Sequence, residues 1–210
     1  MTPRARPTSR ARTPPNFRDV GADPLDYDGP TARGEEVQIR RAVIDDVAGI
    51  AALYVASWQA AYPGLLPQAV LDGLRPEQWW TRWTTTIRGA AWPSRGTLVA
   101  ADGHNELAGF VDLRPAVDDE QDRRVGEIAS VHVHPSCWSE GVGQQLMAAS
   151  VEALTDAGFT TAALWVLDGN TRAMRFYTRS GWTFDGTTQA DNVGGTTIYD
   201  RRMRRTLTPG

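Results

Sequence analysis

An α/β (α+β) fold is the class this sequence predicts: a mixed, mostly antiparallel central sheet of about seven strands flanked by helices. Three observations carry it. Two alternating apolar runs, GTLVAADG and ELAGFVDLR, meet at the turn signal Asp102-Gly103, the pattern of a β-hairpin. Two strand-then-helix units follow, VGEIASVHV with 142–157 and TTAALWVL with 170–180. Two last strands within WTFDG and TTIYDRRMRR close the chain. Hairpins around central βα units place helices on both faces of one mixed sheet.

Taken in order, residues 1–36 stand apart. They hold six of the 13 prolines, an arginine-rich first half and an acidic second half. With so little apolar surface to offset the entropy of ordering, this segment is expected to be a disordered tail. A single domain is expected over 37–210. VQIRRAV alternates as a strand. Asp45 is placed to cap a helix through Val47, Ile50, Leu53, Tyr54 and Trp58, which Pro63-Gly64 breaks. A second helical region covers 68–88 and carries Trp79, Trp80 and Trp83. After the hairpin comes a polar loop over 118–124. Gly158 and Gly181 end the two later helices.

Composition sets the outer limits. At 210 residues, 41% hydrophobic and 22% charged, the chain reads as one soluble domain. It has no apolar run of membrane-spanning length and no signal-peptide core. The single cysteine, Cys137, points to a reducing, cytoplasmic setting. The net charge of −3 argues against a nucleic-acid partner. All 22 basic residues are arginine.

Chemistry concentrates in HPSCWSEGVGQQL, residues 134–146. A strand feeding a glycine turn and then a helix aims the free N–H groups of the first helical turn at one spot. The helix dipole adds partial positive charge there. That is an anion site, and Gly141 and Gly143 let the anion approach the backbone. No Gly-Lys-Ser/Thr follows, so it is not a P-loop. About thirty residues later comes NTRAMRFYTRSGW, in which Asn170 caps a helix and Gly181 stops it.

These two segments, Trp138-Ser-Glu-Gly-Val-Gly143 and Asn170-Thr-Arg-Ala-Met-Arg-Phe-Tyr-Thr-Arg-Ser-Gly-Trp182, resemble the GNAT superfamily of acyl-CoA-dependent N-acyltransferases. SWQAAYPGLLP, residues 57–67, resembles several bacterial members, and the likeness covers roughly 37–206. It implies acetyl-CoA as co-substrate, with its pyrophosphate on the N–H groups of Trp138, Ser139, Glu140, Gly141, Val142, Gly143 and Gln144. The pantetheine arm would pair like an added strand with Val131, His132 and Val133, where a backbone N–H would stabilise the oxyanion. Asn170 matches the family's pantetheine-side Asn, and Tyr177 matches the Tyr that protonates the departing thiolate. Glu127 lies where lysine acetyltransferases of the family carry a strand glutamate as base. A carboxylate desolvated against aromatic rings could do that work, although ordered water is the base in many members. Glu127 could equally bind the acceptor's ammonium.

The expected reaction is direct attack of a primary amine on acetyl-CoA in a ternary complex. The acceptor would be a small-molecule amine or a peptide N-terminus. Trp58 and Tyr62 are candidate substrate contacts, and Asp118–Glu120 a source of negative charge beside them. Trp138 stands where the family most often has Arg or Gln, and Glu140 adds negative charge next to a pyrophosphate. These departures motivate the alternative of a non-catalytic acyl-CoA-binding sensor. Arg172 or Arg175 would supply compensating positive charge. His132, His134 and Cys137 lack a second ligand pair, so no metal is expected. Nothing in the sequence excludes a homodimer.

Overall fold

The structure, a computed structural model, describes residues 19–21, 37–117 and 124–208. Seven strands form the main path of one sheet: β2 (Gln38–Arg41), β3 (Gly96–Ala101), β4 (Leu107–Pro115), β5 (Val125–Val133), β6 (Thr161–Leu167), β7 (Thr183–Val193) and β8 (Thr196–Thr206). Their spatial order is β2-β3-β4-β5-β6-β8-β7, and an eighth short strand, β1 (Asp19–Gly21), pairs with β5 off that path. Every pairing on the main path is antiparallel except β5–β6. The predicted mixed, mostly antiparallel sheet is therefore the observed one.

Among the described residues five α-helices cover it: α1 (Val47–Ala61), α2 (Gln68–Gly73), α3 (Trp80–Arg88), α4 (Val142–Asp156) and α5 (Thr171–Arg179). The strands are pleated, so alternate side chains feed two separate cores. On one face Val99 and Phe110 pack with Ile50, Tyr54, Trp58 and Trp83 from α1 and α3. On the other, Val111, Leu113, Ile128 and Val131 pack with Leu146, Met147 and Leu154 of α4 and Phe176 and Tyr177 of α5. Gly109 of β4 marks how closely α4 approaches. A Cβ there would lie 2.8 Å from Leu146 Cδ1 and 2.9 Å from the His132 carbonyl oxygen. Because one obstacle is backbone, Gly109→Ala is expected to cost ~1–3 kcal/mol of stability, read as a lower midpoint in urea. An unchanged midpoint would refute the close packing.

The feature that positions the site is a split in the sheet. β5 and β6 pair only where Val125, Gly126 and Glu127 meet Thr161, Ala162 and Ala163. Beyond that point β5 stays with β4 up to Val133, and β6 stays with β8 up to Leu167. The two strands splay, opening the inner edge of β5 from Ile128 onward. β1 enters this opening, with Asp19, Val20 and Gly21 in parallel register with Ser130, Val131 and His132.

Several local expectations change. The helical region 68–88 is broken into α2, a 3₁₀ turn over Pro76–Trp79, and α3. Pro76 holds Arg75 extended, at φ −136° and ψ 137°, since the residue before proline avoids helical geometry. Helix α1 follows a 3₁₀ turn over Ile44–Asp46, so Asp46 rather than Asp45 stands at its N-cap. Asp46 accepts from the Val43 N–H at 2.7 Å and pairs with Arg40 at 2.8 Å. β7 runs well past WTFDG to Val193. Its side chains are mostly exposed, so no apolar alternation advertises a strand that backbone pairing with β8 maintains. Of the segment expected to be a disordered tail, only β1 is described; residues 1–18 and 22–36 lie outside the described residues, as does 118–123 of the predicted loop.

Candidate active site

The glycine loop has the geometry of an anion cradle. After β5, a 3₁₀ turn over Pro135–Cys137 leads to Ser139 at φ 66° and Gly141 at φ 79°. Both left-handed residues fold the chain back so that α4 starts facing the split, with Gly141 as N-cap. The helical ladder begins with the Gln145 N–H donating to the Gly141 carbonyl at 3.1 Å. The N–H groups of Val142, Gly143 and Gln144 therefore precede the ladder and point out of the helix end. Apart from its own chain neighbours and the first turn of α4, no atom of the described residues lies within 4 Å of where a Gly141 Cβ would stand. The space before the helix is open, as an anion requires.

Trp138 sits over this loop. Its Nε1–H donates to the Val133 carbonyl at 3.0 Å, tying the loop to the end of β5. Its ring is covered by the Arg172 guanidinium, 3.6 Å from the ring centre. Arg172 belongs to the first turn of α5, so positive charge does reach the loop from the second helix. The backbone N–H of Trp138 turns to the Pro135 carbonyl at 3.4 Å, which removes it from the expected set of pyrophosphate donors. Asn170 caps α5, its side-chain oxygen accepting from the Ala173 N–H at 3.1 Å.

Across the sheet, on the face covered by α1 and α3, lies a ladder of polar groups. The register sets Phe110, Asp112 and Arg114 of β4 opposite His132, Ser130 and Glu127 of β5. Glu127 is buried, and Arg114 grips both its oxygens, Nε to Oε2 at 3.2 Å and Nη2 to Oε1 at 3.1 Å. Thr97 donates its hydroxyl to Asp112 Oδ1 at 3.0 Å. Burial pushes the Asp112 carboxyl up to about 6, with Glu127 adding to the rise and Thr97, Arg114 and Arg82 opposing it. His132 stacks on Phe110, with ring centres 5.0 Å apart, and its Nδ1 lies 2.7 Å from Ser57 Oγ. Burial lowers its pKa to about 3, helped by Arg82, so the imidazole stays neutral. Ser57 donates its own proton to the Tyr54 carbonyl at 2.8 Å. That network assigns the imidazole proton to Nδ1. His132 Nε2 and Ser130 Oγ have no hydrogen-bond partner among the described residues.

The expected residues thus divide between two places. Val131, His132, Val133 and the glycine loop border the split, and Tyr177 is fully buried in the α4–α5 core with Phe176. Trp58 and Tyr62, proposed as substrate contacts, are each 1% exposed and pack edge to face at 5.2 Å. Trp58 lies on the interior face of α1 and Tyr62 at its C-cap, both inside the core. The exposed aromatic of this layer is Trp80, 46% exposed. His132, His134 and Cys137 do not converge: His132 turns to Ser57, while His134 Nδ1 turns to Ser136 Oγ at 2.7 Å. Among the described residues no group of three His, Cys, Asp or Glu side chains could hold a metal. Asp112 and Ser130 went unnoticed in the sequence. Their signal was there, as polar residues recurring at period two in strands otherwise apolar.

The sequence matches the family model described as acetyltransferase (GNAT) family over residues 55–182. The chain belongs to the GNAT acetyltransferase family. Acetyl-CoA-dependent acetyl transfer is the activity of that family, and this member is an enzyme of it. It is 27% identical over 134 residues to the uncharacterized N-acetyltransferase YuaI of Bacillus subtilis, covering 64% of this chain and 73% of that protein. It is 36% identical over 93 residues to the mycothiol acetyltransferase of Sanguibacter keddieii, covering 44% of this chain and 30% of that protein. Among solved folds, the PaiA N-acetyltransferase of Thermoplasma acidophilum in complex with coenzyme A superposes with a TM-score of 0.63 at 16% identity. That match covers 81% of this chain and 99% of the other. The GNAT fold is common to all of it. No helix among the described residues is long and apolar enough to cross a membrane.

Proposed function

We propose that this GNAT protein transfers the acetyl group of acetyl-CoA to a primary amine by direct attack in a ternary complex. The acceptor is a small-molecule amine or a peptide N-terminus. The observation that carries the reading is the split between β5 and β6 opening onto the N-terminus of α4. A flexible thioester-bearing arm fits the strand edge while its phosphates meet the helix N–H groups. Acetyl-CoA supplies the activated acyl carbon. Ser139 to Gln144 hold its pyrophosphate, with Arg172 nearby as the cation, and backbone groups of Val131 to Val133 line the arm. Asn170, whose side-chain oxygen serves the α5 cap, is assigned to the pantetheine side of the same site.

Proton movement is divided between the two faces, with Tyr177 on the α4–α5 side and the carboxylates on the α1–α3 side. The amine nitrogen must lose a proton as its bond to the acyl carbon forms. The departing sulfur must gain one as the C–S bond breaks. Tyr177 donates to sulfur from its hydroxyl. Of the two carboxylates on the acceptor face, Glu127 was the sequence candidate for the base. Its oxygens are both engaged by Arg114, which suits it to holding charge in place. Asp112, titrating near 6, is the better match to a base working near neutral pH, and we assign it the amine proton.

An amine-panel assay following free CoA, with calorimetry of acetyl-CoA binding, tests the reading. Saturable CoA release with at least one amine is expected; absence of both binding and release refutes it. Binding without release on any amine would favour the non-catalytic sensor. The loop has its own test. Gly141→Val places a branched side chain in the open space before α4 and at a φ that suits glycine. It should raise the acetyl-CoA KM about tenfold, a loss of ~1.4 kcal/mol. An unaltered KM would mean the pyrophosphate lies elsewhere.

A further inference from the structure

The strand β1 occupies the place assigned above to the pantetheine arm. It pairs in parallel with Ser130, Val131 and His132, along the inner edge of β5 that β6 leaves open. It lies close to β6 as well as β5, and so stands inside the split rather than on an outer edge of the sheet. An extended backbone and an extended pantetheine make the same demand on that edge, because both satisfy its N–H and C=O groups as an added strand. They cannot both be there.

We propose that Asp19–Gly21 is a built-in competitor that must leave the split before acyl-CoA can enter, so that the N-terminal arm sets the apparent cofactor affinity. This rests on the acetyltransferase reading of the split. Residues 22–37 join β1 to β2 in the sequence, so rebinding is intramolecular and is governed by an effective concentration. Three paired residues form a weak clamp. The arm is thus expected to be displaceable by cofactor rather than permanently inhibitory. If the arm fills the split nine-tenths of the time, the apparent dissociation constant for acyl-CoA is raised about tenfold over the open state. Whatever captures the arm elsewhere would act as an activator, by raising the open fraction without touching the active site.

The test uses the full chain and its Val20→Pro variant. Proline removes a backbone donor and fixes φ, which disfavours strand pairing, and Val20 contributes nothing to the proposed chemistry. Calorimetry with acetyl-CoA and with CoA should give dissociation constants several-fold lower for Val20→Pro, and kcat at saturating acetyl-CoA should be unchanged. A synthetic peptide of residues 14–26 added to Val20→Pro should inhibit competitively against acetyl-CoA and not against the amine. Hydrogen exchange gives a readout independent of turnover, since the 19–21 amides of the native chain should lose protection when CoA is added. Equal dissociation constants in the two chains, or 19–21 amides indifferent to bound CoA, overturn the proposal while leaving the acetyltransferase intact. No CoA binding by either chain overturns both.

Discussion

Asp112→Asn should lower kcat for amine acetylation by about 10²–10⁴-fold, the usual loss when a general base is removed, and should make the protein more stable. Both effects come from one cause. Burial holds the Asp112 carboxyl near 6, so at neutral pH it is ionised and available to take a proton, but in surroundings that disfavour its charge. Its pKa is raised above that of the unfolded chain. The stability associated with protonated Asp112 is therefore complete below about pH 4 and is lost as pH rises through 6. Asparagine is neutral throughout and its oxygen can still accept from Thr97, so at pH 7 the variant should gain ~1–3 kcal/mol. That gain should vanish near pH 4. The native pH–rate profile should climb through about 6 and level off, and the variant should lack this limb. Native-like turnover in Asp112→Asn would return the proton to Glu127 or to water. Lost turnover without added stability at pH 7 would point to simple structural damage. Glu127→Gln supplies the contrast: it breaks the pair with Arg114 in a buried place, so lowered stability is expected along with lowered activity.

Tyr177→Phe should lower kcat by a comparable ~10²-fold or more, while the acetyl-CoA dissociation constant stays within about twofold. The ring of Tyr177 packs at 5.2 Å from Phe176 and 6.3 Å from Trp182. Phenylalanine keeps that packing, so the thermal midpoint should move little. The separation of kcat from binding distinguishes a proton donor from a wall residue. If turnover survives within twofold, the thiolate leaves with a proton from another source. Stopped-flow measurement of CoA release in a single turnover would place the effect in chemistry rather than in product escape.

Much of this fold was legible in the chain because its signals are local. The hairpin turn is marked by Asp102-Gly103, and the ends of α4 and α5 by Gly158 and Gly181, both at positive φ. The glycine loop was readable because left-handed backbone at Gly141 needs that residue. Asp112 and Ser130 carry only the faint mark of period-two polarity in strands otherwise apolar, and the rest of what escaped has no local mark. Helical spacing ran through Trp58 but could not say that this face, with Tyr62 beyond it, is sealed from solvent. The pKa of Asp112 is a property of what packs over it from three strands and α3. β7 is a strand by virtue of β8 alone, and β1 by virtue of an edge on β5 that exists only because β6 turns away.

The sheet also acts as a partition. On the proposed reading, the acyl donor is served from the side of the α4–α5 core and the acceptor from the side of the α1–α3 core, with the strands between them. Substitutions on one side seldom share a neighbour with those on the other, so their energetic effects should be nearly additive. A lineage could therefore try new acceptors by altering Trp80 or Arg82 while inheriting its acyl-donor machinery intact. Such a wall of backbone lets half an enzyme evolve while the other half stands still.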